Sequence, residues 1–328
     1  MRLLEEAVIQ NPDALAFAAR PDNKFAGSVS MLAWAYNEEL LIAEFVERAF
    51  ALLDSISPDV ELIIVDDGSS DKTPEILAEI AKNEPRLRVI RHATNLNVGH
   101  AIRTAFSEVR KDFFFFQTVD WSYDLQNAAL FLRLLQWYDI VKGVRPVPER
   151  LLSHIPVLRS IHRIKSRSDT IQKAFISLSN YYIQRLLFGV DFHDYQNIFF
   201  ARSTVATQTE LTGETGFVNP ECLLRSYAKG LSILEVPIHF IPRVVGEAKG
   251  TKFHVVVKSF FDVLKNWLVW GLAARLQIRQ GPKRRIFRVN EPHYLPEEVI
   301  VLCAPLFKQF ARRDELDNAS RNEGAYRD

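Results

Sequence analysis

Several features that define other classes of protein are scarce or absent in this sequence. It contains only two cysteines, Cys222 and Cys303, which are far apart and lack the spacing of metal ligands. Neither a disulfide framework nor a structural zinc site is therefore predicted, and this cysteine usage fits a reducing compartment. No run of about twenty apolar residues occurs, so no membrane-spanning helix is predicted. Internal repeats and low-complexity tracts are also lacking.

The composition is that of a folded globular protein. The 328 residues are 48% hydrophobic and 25% charged, which is enough apolar material for one large domain with an extension. Residues 1–24 contain Glu5 and Glu6 and lack the basic and apolar signature of a signal peptide, so a helical N-terminal extension is predicted there. The main domain is predicted over residues 25–248, and a C-terminal tail over residues 291–328.

The most informative segment runs from Glu61 to Thr73. Its residues 62–65 form a short apolar run of the kind that is buried on both faces of a parallel sheet. Asp66 and Asp67 follow at the carboxyl end of that strand, where such sheets open their binding crevice, and Gly68 permits a tight turn. Asp66 is expected at a loop edge rather than in the core. An ordinary junction between a strand and a helix is the alternative interpretation.

Three further strands are predicted to end in polar groups at the same edge. Val29–Ala35 runs into Tyr36–Glu39, Leu87–Arg91 is followed by Asn95–His100, and Phe113–Phe116 is followed by Gln117–Asp120. The predicted fold class is α/β, with a mostly parallel, Rossmann-like sheet flanked by helices and a helical C-terminal extension. Tyr36–Glu39 is expected to open the helix after the first strand.

An ordered set of short motifs extends this pattern over residues 28–250. The motifs are Ala35–Glu38, Val65–Thr73, Asn97–Gly99, Ala101–Arg103, Asp139–Arg145, Glu221–Ala228, Glu235–Phe240 and Arg243–Lys249. Their order resembles that of the family-two inverting glycosyltransferases of the GT-A fold. More narrowly, it resembles the polyprenyl-phosphate glycosyltransferases of the dolichyl-phosphate mannose synthase type. The occurrence of all the motifs in order, rather than any one of them, carries the resemblance.

The resemblance implies a pocket for a nucleotide-sugar donor linked to GDP or UDP. It assigns the base and ribose to the turn after the first strand and to Asp66, with Asp67 as support, and it closes the Asn97–Gly99 turn over the nucleotide. The residues assigned to the nucleotide in this way are Tyr36, Asn37, Glu38, Asp66, Asp67, Asn97, Gly99 and Val119.

The resemblance also implies a divalent cation, Mg²⁺ or Mn²⁺, on the donor diphosphate. The Asp-x-Asp motif of the family reads Thr118-Val119-Asp120 here, so Asp120 is its one carboxylate. Magnesium is commonly held by one or two carboxylates together with substrate phosphates, so Asp120 alone can serve as the metal ligand. Arg145, Arg243 and Lys249 match positions that meet phosphate groups, and they are the alternative means of neutralising the leaving diphosphate.

The acceptor implied by the resemblance is a polyprenyl phosphate. Its phosphate is already ionised near neutral pH, so such an enzyme needs less from a catalytic base than one that deprotonates a sugar hydroxyl. Asp194 is the candidate base, and a positioning or capping role is its alternative. A soluble transferase acting on a glycan hydroxyl remains an alternative function. So does a non-catalytic binding subunit, which Thr118 in place of an aspartate suggests.

Positive charge is concentrated near the C-terminus. Residues 249–288 hold ten lysines and arginines against one acid, a net charge of +9, which leaves −8 for the rest of a chain whose total is +1. Apolar residues recur there at helical spacing, opposite Lys258, Asp262 and Lys265. We therefore predict basic amphipathic helices over residues 249–290.

A basic amphipathic helix with tryptophans is typical of an anionic membrane interface. The tryptophans of this segment are Trp267 and Trp270. The expected location is thus cytoplasmic and peripheral, on the cytosolic face of a membrane. A helix packed on the catalytic domain with a solvated basic face is the alternative. Nucleic acid is not an expected partner, because no recognised nucleic-acid-binding module accompanies the charge.

Overall fold

A computed structural model describes residues 24–145, 171–241, 253–281, 285–304 and 306. The centre of the described structure is an eight-stranded sheet. Its strands are β1 (Val29–Ala35), β2 (Val60–Asp66), β3 (Leu87–Arg91), β4 (Phe113–Phe116), β5 (Ile140–Val144), β6 (Phe199–Arg202), β7 (Ile233–Pro237) and β8 (Ile286–Arg288).

The strand order across the sheet is β3-β2-β1-β4-β6-β5-β7-β8. Strand β6 runs antiparallel to its neighbours β4 and β5, whereas the other neighbouring pairs are parallel. The order reverses between β1 and β4, because the chain moves outward from β1 to β3 and then returns to the other side of β1. Open α/β sheets bind their ligands at such a switch point.

Helices connect the strands and bury apolar side chains against the sheet. They are α1 (Ile42–Ile56), α2 (Thr73–Asn83), α3 (Val98–Ser107), α4 (Ala128–Leu134), α5 (Ile171–Phe188), α6 (Ser203–Thr207), α7 (Val218–Ala228), α8 (Phe253–Asn266) and α9 (Leu272–Gln280). A π-helical turn, Trp267–Gly271, joins α8 to α9. Residues of α1, α3, α4 and α7 share one apolar core with the strands.

The predicted mostly parallel sheet and helical C-terminal region are confirmed. Strands β1, β3 and β4 have the predicted bounds, and β2 extends beyond the predicted run because all seven of its residues are buried. The helix after β1 begins at Ile42 rather than at Tyr36, since residues 36–39 form a turn that bonds to the next loop.

The sheet continues past residue 248, where the sequence placed the end of the main domain. Strand β8 pairs in parallel with β7, with Ile233 opposite Ile286. Residues 297–304 are helical, and Val299 and Cys303 within them are completely buried. Part of the predicted tail therefore belongs to the core, because its apolar side chains are buried there. The predicted extension over residues 1–24 lies almost wholly outside the described residues.

The face of helix α8 that packs against the protein differs from the predicted one. Asp262 was expected on the solvated side with Lys258 and Lys265, but it is 6% exposed. Phe261 and Leu268 are instead 61% and 60% exposed. Amphipathic spacing alone cannot show that a buried carboxylate has backbone amides to accept from, and here it has them.

The two tryptophans of this region anchor the helix to the protein. The indole of Trp270 is buried and donates to Asn266 Oδ1 at 2.9 Å. The indole of Trp267 donates to the carbonyl of Leu187 at the end of α5, at 3.0 Å. The buried Trp270 ring therefore contacts the chain rather than a membrane, whereas Trp267 is half-buried and its role at an interface stays a prediction.

Candidate active site

Three turns meet at the carboxyl ends of β1, β2 and β3. Gly68 has a φ of +70°, and a Cβ there would lie 2.6 Å from the amide nitrogen of Asn95, so only glycine allows this close approach. The amide of Asn37 donates to Ser69 Oγ, and Asn37 Oδ1 accepts from the amide of Ser70, both at 2.9 Å. The turns after β1 and β3 are thus both held against the turn after β2.

Tyr36 and Glu38 lie in the turn after β1, where the sequence predicted them. Both are half-buried. The amide of Glu38 donates to Thr73 Oγ1 at 2.9 Å, and its carbonyl accepts from the amide of Ile42 at the start of α1. The side chains of Tyr36, Asn37 and Glu38 are therefore placed at the rim of the crevice by a network of backbone hydrogen bonds.

Asp66 lies deeper than predicted. It is completely buried, because β2 continues through it, so its expected place at a loop edge is wrong. Its Oδ1 accepts from the amide of Ser69 at 3.0 Å. Its Oδ2 is buried, accepts no hydrogen bond from the described residues, and lies 3.3 Å from Arg91 Nε. A buried carboxylate oxygen in that state is costly, so it marks a place for a further donor.

Asp67 organises the turn after β3. Its Oδ1 accepts from the amide of Leu96 at 2.9 Å and lies 2.7 Å from His92 Nδ1. The other ring nitrogen of His92 lies 3.0 Å from Thr104 Oγ1 on α3. Asp67 thus fixes the turn after β3 together with His92, which the sequence gave no reason to select, and its role in a nucleotide pocket stays a prediction.

The Asn97–Gly99 turn begins helix α3. Asn97 has a φ of +76°, and its carbonyl accepts from the amide of His100 at 3.0 Å. A Cβ at Gly99 would lie 2.5 Å from both the carbonyl oxygen of Glu214 and the amide nitrogen of Thr215. The turn is therefore fixed against a loop after α6.

A second group of polar residues follows β4 across the switch point. Val119 is buried and Asp120 is half-buried. Asp120 Oδ1 accepts from Ser122 Oγ at 2.6 Å, and Thr118 Oγ1 accepts from the amide of Ser122 at 3.1 Å. Trp121 between them has a φ of +54°, a conformation that a bulky residue adopts at a cost and that is frequent at functional sites.

The residues present fit a cation that takes most of its ligands from the substrate. Among the residues that the structure describes, no group of three or more histidine, cysteine, aspartate or glutamate side chains is arranged to hold a metal ion. Asp120 supplies one carboxylate beside the crevice. Magnesium sites of this kind are completed by phosphate oxygens and water.

Arg145 and Asp194, both predicted site residues, face each other beside Tyr123. Arg145 Nε lies 3.8 Å from Asp194 Oδ2, and the guanidinium group lies 4.7 Å from the centre of the Phe240 ring. Burial raises the pKa of Tyr123, an effect that the charge of Arg145 opposes and those of Asp194 and Asp120 reinforce. Tyr123 is therefore a neutral phenol at neutral pH, and the sequence did not identify it.

Asp194 has the contacts of a positioning residue. It is 5% exposed, and its Oδ1 accepts from the amide of Gln196 at 3.2 Å. Its carbonyl accepts from the ammonium group of Lys142, which is fully buried on β5. These contacts are those of the capping alternative.

A buried ionic cluster lies beneath Asp194. Glu235 accepts from the amide of His193 at 2.9 Å and lies 3.3 Å from Lys142 Nζ and 3.2 Å from Arg288 Nε. Burial alone would raise the pKa of Glu235, but Lys142 and His193 outweigh it and lower that pKa to about 2. The segment Glu235–Phe240 carried the resemblance, yet the sequence assigned no role to its glutamate.

Two predicted cations, Arg243 and Lys249, lie outside the described residues. The chain before them is placed beside the Asp120 turn, because the amide of Ile241 donates to the carbonyl of Ser122 at 2.8 Å. Tyr123 also forms an antiparallel bridge with Phe240.

Comparisons with known proteins agree with this architecture. The model of the family "Glycosyl transferase family 2" matches residues 30–202, which is more than half of the chain. A solved structure of glucosyl-3-phosphoglycerate synthase from Mycobacterium tuberculosis, in complex with Mg²⁺ and uridine diphosphate, superposes with a TM-score of 0.50. It covers 79% of this chain and 83% of that chain at 13% identity. This likeness confirms the GT-A fold and nothing further.

Two curated relatives are similar over most of this chain. Glycosyltransferase AglD of Haloferax volcanii is 26% identical over 76% of the chain, which is 38% of the relative's length. Undecaprenyl-phosphate 4-deoxy-4-formamido-L-arabinose transferase of Shewanella sediminis is 29% identical over 72% of the chain and 65% of its own length. The chain thus spans less than two thirds of either relative.

The family match covers β1 to β6, and with them both groups of polar residues beside the switch point. The resemblance that the ordered motifs predicted is thereby confirmed at the level of the family. This chain belongs to glycosyl transferase family 2.

Proposed function

We propose that this chain transfers a sugar from a GDP- or UDP-linked donor to a polyprenyl phosphate, with inversion at the anomeric carbon. The observation that carries the proposal is the placement of Asp66 and its turns on one side of the switch point and of Asp120, Arg145 and Tyr123 on the other. The name of the Shewanella relative, an undecaprenyl-phosphate sugar transferase, supports the choice of acceptor.

The donor side of the site is suited to a nucleoside. The Oδ2 atom of Asp66 has unused capacity to accept a hydrogen bond, and an N–H of the base can supply it. Tyr36, Asn37 and Glu38 at the rim are placed for the base and ribose. Asp67 and His92 hold the Asn97–Gly99 turn, whose position allows it to close over the nucleotide.

The opposite side is suited to the diphosphate. Negative charge grows on the leaving diphosphate as the bond from the anomeric carbon to its oxygen breaks, so positive charge is needed there. Asp120 would hold Mg²⁺ or Mn²⁺ together with the diphosphate oxygens, and the cation would supply that positive charge as a Lewis acid. Arg145 contributes a further positive charge next to Asp194 and Tyr123.

Attack by the acceptor phosphate requires little proton transfer to the protein. An ionised phosphate oxygen of the acceptor forms the new bond to the anomeric carbon while the nucleoside diphosphate leaves from the opposite face, which inverts the configuration. Asp194 then serves to position Arg145 rather than to take a proton. Its capping contact with Gln196 and its 3.8 Å approach to Arg145 favour this role.

The test is a panel of UDP- and GDP-sugars, assayed for hydrolysis and for transfer to a short polyprenyl phosphate. Asp66→Asn keeps the size of a fully buried side chain but replaces one acceptor by a donor, so it should weaken binding of the active nucleoside diphosphate by about 1–3 kcal/mol in calorimetry. Asp54→Asn on α1, which alters an exposed ion pair with Arg86 before β3, is the matched control and should change nothing. Equal nucleotide affinity in all three proteins would remove Asp66 from the donor site.

We also propose that the C-terminal helices bind an anionic membrane on the cytosolic face. No helix within the described part of the chain is long and apolar enough to cross a membrane. The exposed large apolar residues of the region are Phe260, Phe261, Leu268, Val269, Leu272 and Leu276 on the α8–α9 stretch, and Tyr182 and Leu186 on α5. A group of exposed large apolar side chains on helices marks an interaction site, and exposed cations of the same stretch such as Lys258 and Arg279 suit anionic headgroups.

Substitution of the cations at residues 283–285 would test the proposed membrane surface less well than substitution of its exposed apolar residues. Arg285 is 5% exposed, donates to the carbonyl of Tyr227 at 2.6 Å, and lies over the Tyr227 ring. It was expected to be part of the basic membrane-facing segment, but its charge is committed within the fold. Lys283 and Arg284 lie outside the described residues.

Leu268→Glu and Leu272→Glu should each weaken binding to anionic vesicles roughly tenfold or more, because each removes an apolar side chain worth about 1.5–3 kcal/mol on burial. Flotation with phosphatidylserine vesicles at two ionic strengths measures this, and high salt should weaken the wild type as well. Ala51→Glu adds the same charge on the exposed side of α1 and should bind like the wild type. A wild type that never floats with the vesicles would favour a soluble acceptor.

A further inference from the structure

The loop of residues 212–215 is held by two buried carboxylates from different helices. The first is Glu221 on α7, which is completely buried. Its oxygens accept from the amide of Thr212 at 3.0 Å and from the amide of Gly213 at 2.7 Å. Arg225 Nε, one turn further along α7, lies 2.8 Å from Glu221 Oε1 and balances its charge.

The second carboxylate is Asp262 on α8. Its Oδ2 accepts three hydrogen bonds, from the amides of Glu214 and Thr215 at 2.9 Å each and from Thr215 Oγ1 at 2.8 Å. Its Oδ1 accepts from the side-chain amide of Asn266 at 2.9 Å. Bonds from a carboxylate to backbone amides are among the stronger hydrogen bonds in proteins. The position of Glu214 and Thr215 is therefore set by α8.

The same two loop residues press on the candidate donor turn. At Gly99, a Cβ would lie 2.5 Å from Glu214 O and from Thr215 N, so the two backbones touch without an intervening side chain. A second tie joins α3 to the preceding residues, because Arg103 donates to the carbonyl of Leu211 at 3.4 Å. A shift of the loop is thus transmitted to Gly99 with no soft contact to absorb it.

We propose that Asp262 is a positioning residue for the donor: it holds residues 214–215 against Gly99 and so fixes the Asn97–Gly99 turn in its nucleotide-binding position. This inference rests on the proposed function, in which that turn closes over the nucleotide. It also gives α8 two tasks. Its Phe261 is exposed, whereas the neighbouring Asp262 holds, through one loop, a wall of the proposed donor pocket.

The loop residues that Asp262 binds are the two that contact Gly99. Asp262 is the one acid among residues 249–288, and its burial removes a charge from water. That cost is offset by bonds to a loop whose next contact is the donor turn. Loss of these bonds should therefore change the nucleotide affinity of the folded protein as well as its stability.

The experiment measures calorimetric affinity for UDP and for GDP, each with Mg²⁺ and without membranes, well below the melting temperature. Asp262→Ala should weaken binding of the preferred nucleotide about tenfold. Asp262→Asn can still accept from the two loop amides and should stay within about threefold of the wild type. Lys265→Ala is the control: it removes the exposed ion pair with the Glu214 side chain at 2.9 Å and leaves the backbone bonds intact, so its affinity should be unchanged.

Thr215→Val provides a second variant if Asp262→Ala does not fold. It removes one of the three bonds to Asp262 and should weaken binding about threefold. Circular dichroism and melting curves establish that each variant is folded. Affinity within twofold of the wild type in both Asp262→Ala and Thr215→Val, whatever their melting temperatures, would overturn the inference while leaving the proposed function in place. A wild type that binds neither nucleotide would overturn both.

Discussion

Asp120→Asn should lower sugar transfer roughly 10²–10³-fold and abolish any gain in nucleotide affinity that Mg²⁺ or Mn²⁺ gives the wild type. In the Thr118–Asp120 segment, the carboxylate available to a cation is that of Asp120. Among the described residues, no cluster of three or more potential metal ligands occurs. Replacement of that carboxylate by an amide removes the single full negative charge while keeping the hydrogen bond that Ser122 donates. Transfer rates and nucleotide calorimetry, each with metal and with chelator, measure the effect.

Thr118→Asp is the complementary variant. Thr118 is half-buried two residues before Asp120, and a carboxylate there can still accept from the amide of Ser122 while adding a second charged ligand. It should strengthen the dependence of nucleotide binding on metal. If chelator changes neither binding nor turnover, and Arg145→Ala costs more than Asp120→Asn, protein cations rather than a metal neutralise the diphosphate. Failure of every donor to react would favour the non-catalytic binding subunit.

Glu235→Gln should destabilise the fold by about 3–5 kcal/mol, because it leaves the charge of Lys142 buried without its partner. Lys142 is fully buried, and its ammonium group lies 3.3 Å from Glu235 Oε1. Urea unfolding at neutral pH measures the loss. Glu79→Gln makes the same chemical change in an exposed pair with Lys82 and should cost less than about 0.5 kcal/mol. A loss as small at Glu235 as at Glu79 would show that the buried cluster contributes nothing to stability.

The effect of Glu235 should depend on pH in a defined direction. Its pKa is lowered from 4.5 to about 2 in the folded protein, so the folded state favours the ionised form. The stabilisation is fully present above the unfolded-state pKa and is lost as pH falls from about 4.5 towards 2. The difference in unfolding free energy between wild type and Glu235→Gln should therefore be constant near neutral pH and shrink over that acidic range. The double variant Lys142→Met, Glu235→Gln removes both charges and should recover part of the loss at neutral pH.

The predicted strands depended on patterns that are local in the chain. β1, β3 and β4 were found with their predicted bounds because short apolar runs bounded by polar turns have few other ways to bury their side chains. The polar residues after each strand were therefore expected at the same edge of the sheet, since parallel strands align their carboxyl ends. Asp66 and Asp67 could be placed at this edge in this way without knowledge of any tertiary contact, whereas Asn97 and Asp120 were selected through the resemblance of the motifs.

Burial of charge was the property that could not be predicted from these patterns. Asp66 was expected at a loop edge and Asp262 in solvent, yet both are buried. Each is tolerated because the fold supplies donors: Ser69 in the following turn and the more distant Arg91 near Asp66, and the distant Glu214 and Thr215 at Asp262. A carboxylate with such partners has the same sequence signature as one on a solvated face.

The fold class and the edge of the sheet that carries the candidate site followed from hydrophobic periodicity and strand ends, which are properties of consecutive residues, and the family followed from the resemblance of the ordered motifs. The side chains that meet across that edge were set by the folded structure. It brought Arg145 to Asp194, set His92 beside Asp67, extended the sheet to β8, and turned Asp262 inward while leaving Phe261 and Leu268 exposed. Those outcomes depend on partners that are 25 to 53 residues apart in the sequence, whose distances and hydrogen bonds exist only once the chain has folded.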